Sequence, residues 1–425
     1  MGKAKKKVRH KSPTGVAATS SQEYSRKFIK RMLEKEYPGV YKVARQLASG
    51  ANGSIFLVKN KSLAYRGKPR LEILKVALQE IDPDKFAKEI GKNASVRDAN
   101  VANIYQRGEF RWKKRTIHFC LMEYLEGWES LKSFLHGEPQ RNPPVLGYED
   151  IFMKDDNGQL VSEDDLYLAR LNMFCVCSAI LGSTIDLYTR GKTHGDLNIG
   201  NIMLRRKLDA GSGLYRGVNP YQDEYEVTLI DLGTSDAHGT DPQIGLRRDV
   251  EKLNESIIKC MHAVRFKSNR TTTLFGKFIE RFPGPVLSRK DVLDAMTAMK
   301  ALFDVTIELM RQGGGPNNCP LDLDPQALGE INGIIDEVVV IDARRSIKMT
   351  VPAAQEQDAS YEKKYVPLVD WEEYIKWIQD INYFGKVFQN LKIYKLYNKF
   401  IKNDGGVDKR FDGYAIGCHS SDRVG

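Results

Sequence analysis

Two short apolar runs constrain this chain more than any other feature: "NIML" at 201–204 and "EVTLIDL" at 226–232, each a β-strand pattern bounded by polar residues. Just ahead of the first lies "HGDLNIGN", which supplies His194, Asp196 and Asn201. The second ends in Asp231, thirty residues after Asn201. A carboxylate that closes a β-branched strand has little freedom of orientation, so these polar groups read as fixed in place. The segment before them predicts a long helix from about Glu163 to Arg190. It is opened by Ser162 and Asp165 at capping-box spacing and carries Leu168, Leu171, Phe174 and Ile180 on its apolar positions.

Upstream, the pattern from Val43 to Ala77 is β: "VARQLASGANGSIFLVKN", a polar turn ending at Gly67 to Pro69, then "LEILKVA". Asp82 and Pro83 then suit a helix start, with Phe86 and Ile90 on one face. "TIHFCLMEYLEG" predicts a buried strand running into a turn, with "ESLKSFL" opening a further helix. The prolines of 136–161 predict a surface loop, and the chain beyond Asp249 is mainly helical in pattern. The stretch that includes Trp371, Tyr374, Ile378 and Ile381 reads as an amphipathic helix packed on the preceding domain.

Composition narrows the class. With 425 residues, 41% hydrophobic and 28% charged, the chain can bury the core of a globular protein. No run approaches the apolar length of a bilayer span, and no secretion signal follows the basic N-terminus, so a cytoplasmic protein with no membrane span is expected. The six cysteines have neither zinc nor redox spacing and read as reduced thiols. The net charge is +10, and Lys3, Lys5, Lys6, Lys7, Arg9 and Lys11 lie in the first twenty positions with no acid among them. Residues 1–20 therefore read as a disordered basic tail that would suit acidic partners or nucleic acid, or simply stay solvated.

Two carboxylates and an amide match one task, the transfer of a γ-phosphoryl group: one acid orients the accepting hydroxyl while hard oxygen ligands hold magnesium. By this logic Asp196 orients the hydroxyl, and Asn201 and Asp231 bind the metal. With the upstream strand, the residues resemble the protein kinase superfamily from about Val43 to the helices after Asp249. "LASGANGSIF" resembles the Gly-rich loop, with Gly50 and Gly53 at the second and third glycine positions and Ala48 at the first. "EILK" resembles the strand whose lysine grips the α and β phosphates, which is Lys75 here, with Ile73 against the adenine. Glu89 matches the helix glutamate that pairs with that lysine. "LMEYLEG" resembles the hinge, with Met122 as gatekeeper and the backbones of Glu123 and Leu125 on the adenine edge; Ile55 and Met203 complete the sandwich.

The resemblance implies an α+β, bilobal fold: a small β-rich N-lobe with one helix over 21–122, a larger mainly helical C-lobe over 123–315, and a helical extension over 316–425. It implies ATP and Mg²⁺ bound between lobes, a protein substrate, and transfer to Ser or Thr. The pattern also departs from the family. Gly195 stands where many such kinases have arginine, and Asn198 replaces the catalytic-loop lysine, as in kinase-like small-molecule phosphotransferases. Asp249 resembles the anchoring acid of a long C-lobe helix, yet it follows Asp231 by only eighteen residues, with no Ala-Pro-Glu between. Tyr215, Tyr221 and Tyr225 would build a substitute substrate surface. A small-molecule phosphotransferase and a nucleotide-binding pseudokinase scaffold stay open as alternatives, and oligomeric state stays unassigned.

Overall fold

The computed structural model describes residues 24–50, 53–65, 67–77, 86–87, 90–91, 96, 100–112, 115–137, 163–207, 224–232, 242–264, 289–313, 325–326, 329, 331–334, 347–351 and 362–366. The fold is α+β and divides into two compact units. One gathers the chain to Phe86 with Ile104–Tyr124, and the other holds Ala87–Asn103 and everything from Leu125. The basic tail, Glu89, the loop at 138–161, Tyr215, Tyr221 and the helix expected around Trp371 lie outside the described residues.

The first unit is a five-stranded antiparallel sheet in the order β1-β2-β3-β5-β4, built from β1 (Tyr41–Gly50), β2 (Gly53–Tyr65), β3 (Lys68–Val76), β4 (Ile104–Trp112) and β5 (Arg115–Glu123). One face is covered by α1 (Arg26–Glu36), which the sequence reading did not include. Ser25 caps it by accepting the Phe28 N–H at 3.2 Å, and Ile29, Met32 and Leu33, spaced three and four apart, are its buried stripe. That stripe packs with Val43, Phe56, Val58, Leu74, Val76, Phe110, Phe119 and Leu121 into one core. Because strand residues alternate, the other face presents Ile55 and Leu57 of β2, Ile73 and Lys75 of β3, and Met122 of β5.

At one end of this sheet lies a buried polar cluster with no sequence signature. The Glu72 carboxylate is fully buried and accepts from Asn60 Nδ2 at 2.9 Å, Arg70 Nε at 2.8 Å and Tyr41 Oη at 3.3 Å. A buried carboxylate is tolerable only with such partners. Burial, then the charge of Glu72 and its hydrogen bond, push the Tyr41 phenol up to about 12. Its folded-state value is raised, so the stabilisation is full below the ordinary tyrosine value near 10 and is lost as pH rises towards about 12. Denaturant melts between those two values should lose stability steadily for the native protein, and Tyr41→Phe should flatten part of that slope.

The second unit is mainly helical: α2 (Leu131–His136), α3 (Glu163–Thr189), α4 (Pro242–Ala263) and α5 (Arg289–Gly313) accompany a small antiparallel sheet of β6 (Glu129–Ser130), β7 (Ile202–Lys207) and β8 (Glu224–Leu229). α3 lies in the core, with Leu171, Phe174, Cys177, Ile180, Leu181 and Tyr188 buried among residues of α4 and α5. Its Ala169–Thr189 stretch is long and apolar enough to cross a membrane, which corrects the expectation that no segment reaches that length; 72% of the window is buried inside the protein, as in a core helix. Residues 87–103 join this unit rather than the sheet domain expected over 21–122. Val101 bridges Leu229 in parallel, and Leu229 exchanges backbone hydrogen bonds with Asn100 and Ala102.

Cys120, Cys175, Cys177 and Cys260 are free thiols, and burial, with Cys260 beside it, raises the Cys177 thiol well above its ordinary value. Within 316–425, where a helical extension is expected, the structure also has an antiparallel pair, β9 (Ile347–Val351) with β10 (Glu362–Val366). Ile347, Met349 and Val351 alternate with Lys348 and Thr350, a period of two that a helix cannot use.

Candidate functional site

The loop between α3 and β7, residues 190–201, is built around a carboxylate that follows it by about fifty residues in sequence. Asp249 of α4 is fully buried and accepts the backbone N–H groups of His194 at 2.6 Å and Gly195 at 2.7 Å, and the Tyr188 hydroxyl at 3.0 Å. Turning two successive N–H groups onto one carboxylate bends the chain sharply, and Gly195 adopts φ 85°, a conformation that disfavours a side chain. An arginine in place of Gly195 would meet that backbone cost.

His194 extends the clamp. Its Nδ1 accepts the Asp196 N–H at 3.2 Å, which leaves the proton on Nε2, 3.1 Å from the Ile230 carbonyl oxygen. One buried imidazole thus ties the loop carrying Asp196 to the strand end carrying Asp231. Asn198 shapes the loop from within: Nδ2 donates to the Asp196 carbonyl at 3.1 Å and Oδ1 accepts the Gly200 N–H at 2.9 Å. Both ends of this amide are engaged in shaping the loop, at the position where Asn198 replaces the catalytic-loop lysine.

Strand register places Asn201 and Asp231 at the same end of the β7–β8 hairpin. β7 begins at Ile202 and β8 ends at Leu229, and these two residues are paired, so the flanking residues share one end of the hairpin. The Ile230 N–H donates to the Asn201 carbonyl at 2.9 Å and fixes that end. Asn201 Nδ2 donates to the Asp196 carbonyl at 2.9 Å and to Asp196 Oδ2 at 3.2 Å. The amide therefore keeps Oδ1 as its acceptor end. Asp231 has φ 60°, the one non-glycine residue with positive φ among those described. Such strain persists where the surroundings impose it, and it clusters at functional sites.

A carboxylate and an amide oxygen are the hard donors that magnesium takes, usually alongside phosphate oxygens and water. The donor set fits that ion, although among the described residues no group of three or more His, Cys, Asp or Glu side chains is gathered as a protein-only metal cage. Asp196 is half-buried and its Oδ1 makes no hydrogen bond among the described residues, so one carboxylate oxygen remains to accept a proton or hydroxyl.

The first unit aligns a second set. Lys75 is only 5% exposed, paired across the sheet with Ile55 on β2 and Cys120 on β5. Ile55, Ile73 and Met122 are half-buried on the same sheet face, and Glu123 closes β5. A buried ammonium amid apolar neighbours requires a partner charge. Gly50 and Gly53 pair at the end of the β1–β2 hairpin. A Cβ on Gly53 would lie 2.6 Å from the Val76 carbonyl oxygen, so backbone crowding alone demands glycine there. Gly53→Ala should destabilise the protein by about 1–3 kcal/mol, measured by denaturant melt, because the clash is with backbone that cannot rotate away. Leu125 and Met203 belong to the second unit, where Met203 is half-buried on β7 opposite Ser130 and Thr228.

Within each unit, then, the residues singled out from sequence come together as sets: Asp196, Asn201 and Asp231 in one, Lys75, Ile55, Ile73 and Met122 in the other. Tyr188 was missed. Its only signal is a polar-tipped aromatic near the end of an apolar helix, which does not distinguish a ligand of Asp249 from ordinary core. No protein-family model matches the chain, and no curated protein matches it in sequence.

Proposed function

We propose that this chain is an ATP- and magnesium-dependent phosphotransferase of the protein kinase kind, moving a γ-phosphoryl group to a Ser or Thr hydroxyl of a protein substrate in the cytoplasm. The observation that carries this reading is the clamp of Asp249 on His194 and Gly195, which presents Asp196 beside Asn201 and ties both to the strand end at Asp231.

In this reading Asp196 Oδ1 accepts the hydrogen bond, and finally the proton, of the attacking hydroxyl, while Asn201 Nδ2 holds the other carboxylate oxygen. Asn201 Oδ1 and the Asp231 carboxylate would hold the metal. Magnesium, when bound with the nucleotide, supplies charge neutralisation on the phosphoryl oxygens. Lys75 binds the α and β phosphates. As the resemblance implies, the backbones of Glu123 and Leu125 would take the adenine edge, and Ile55, Ile73 and Met203 its faces. The loop glycines Gly50 and Gly53 let the backbone approach phosphate.

The test is incubation of the full chain with γ-labelled ATP and Mg²⁺, alone and with a protein lysate. Label on the chain itself or on lysate proteins, at Ser or Thr, is the expected result. The eighteen-residue span from Asp231 to Asp249 leaves little platform for an extended peptide, which favours a small-molecule acceptor as the second reading. Label that appears only in small molecules would move the acceptor to that class. Nucleotide binding without any transfer would overturn the enzyme reading in favour of a scaffold.

A further inference from the structure

The chain's charge is divided unevenly. Of 65 lysines and arginines and 55 acids, the first unit's sequence holds 25 and 9, which leaves 40 and 46 for the rest. The whole positive excess therefore lies on the sheet unit, and the remainder is net acidic. Such asymmetry marks a unit that meets a polyanion.

Part of that charge is organised on rigid elements. On α1, Lys27, Lys30 and Arg31 are exposed opposite the buried stripe of Ile29, Met32 and Leu33. The helix lies against the end of the β4–β5 pair: Phe28 packs edge-on to Trp112 with ring centroids 5.5 Å apart, and Lys35 sits over the Phe110 ring at 5.4 Å. Trp112 is paired with Arg115, and cross-strand partners share a sheet face, so exposed Arg115 stands on α1's side of the sheet. None of Lys27, Lys30, Arg31 or Arg115 forms an ion pair among the described residues. Glu34, one turn beyond Lys30, is exposed and pairs with none of them. Folding gains nothing from like charges gathered this way.

We infer that the outer face of α1, with Arg115 beside it, is a binding surface for the phosphodiester backbone of a nucleic acid. Rigidly spaced Lys and Arg match a row of phosphates, and each contact releases a counterion. A bilayer surface fits less well, because membrane attachment through a basic helix also needs apolar side chains pointing outward. Here the aromatic residues of the patch, Phe28, Phe110 and Trp112, are packed against one another. The exposed large hydrophobics, Leu47, Leu63 and Tyr105, lie elsewhere, on β1, β2 and the far end of β4.

The experiment is fluorescence anisotropy of the full chain with labelled oligouridine and the matching oligothymidine, beside co-sedimentation with phosphatidylcholine vesicles containing phosphatidylserine. The native chain should bind the oligonucleotides in a salt-dependent way, and the ratio of the two affinities assigns RNA or DNA. The Lys27→Gln/Arg31→Gln/Arg115→Gln variant should bind at least about tenfold more weakly and lower the log-log salt slope by about 2, the value for three phosphate contacts to a single strand. Its melting temperature should match the native one, since exposed substitutions change stability little. A second full-length variant, with the six basic residues of the first twenty changed to Gln, separates the tail from the helix surface. Unchanged affinity in the α1 variant with loss in the tail variant would overturn the inference. So would binding to vesicles without binding to either oligonucleotide, or no binding at all.

Discussion

Asp231→Asn should reduce phosphoryl transfer by at least about a hundredfold while leaving the melting temperature within a few degrees of native. The amide fits the space of the carboxylate, and asparagine, like aspartate, tolerates the left-handed backbone that φ 60° imposes. What it removes is the formal charge. Metal-borne stabilisation of transferring phosphoryl oxygens is worth several kcal/mol, and about 1.4 kcal/mol is a factor of ten in rate. Two neutral amide oxygens would then be left to hold the metal, with no protein charge to oppose its own. The measurement is initial velocity against Mg²⁺ concentration, with thermal melts in parallel; full activity at ordinary magnesium would remove Asp231 from the metal site.

The second large effect falls on folding. Asp249→Ala removes one fully buried carboxylate and strands three donors, the N–H groups of His194 and Gly195 and the Tyr188 hydroxyl. Each buried donor left without a partner costs about 1–3 kcal/mol, although entering water recovers part of that. A loss of roughly 3 kcal/mol or more follows, which for a unit of this size lowers the melting temperature by about 5 °C or more. Transfer should fall as well, since the clamp positions Asp196. Tyr188→Phe removes one donor and keeps the clamp's two backbone bonds, so its effect should be distinctly smaller. Equal losses for the two variants, seen by thermal melts and by hydrogen exchange at 194–196, would mean that the backbone contacts contribute nothing.

How legible these features were depends on what each one is made of. α3 was readable to within a residue of its C-terminal end because an apolar run and a capping signal are both local. α1 was just as local, with Ser25 and the Ile29, Met32, Leu33 stripe, yet it was passed over beside the stronger β pattern that begins near Val43. β4 shows no such signal. Its sequence "IYQRGEFRW" buries only Phe110 fully, and Gly108 interrupts it. The structure explains the glycine: a Cβ there would run into the Phe119 ring on the neighbouring strand. That contact depends on register and could not be read from either strand alone.

The same distinction separates the two polar clusters. Asp196, Asn201 and Asp231 could be picked out because their spacing along the chain carries the pattern. Glu72 could not, because its partners Asn60, Arg70 and Tyr41 reach it through strand pairing, and a charged residue in an apolar strand looks identical whether or not it is satisfied. Asn198 shows the limit from the other side. Its place in the motif points to chemistry, and the hydrogen bonds by which it also shapes the loop could not be read from that place.

The most direct test of the central claim is the rate of γ-phosphoryl transfer by Asp196→Ala, taken together with its affinity for ATP. A base that meets only the acceptor hydroxyl should cost about 10²–10⁴ in rate when removed and leave nucleotide affinity close to native. Full transfer activity in that variant would contradict the assignment of Asp196 and, with it, the phosphotransfer reading of the loop.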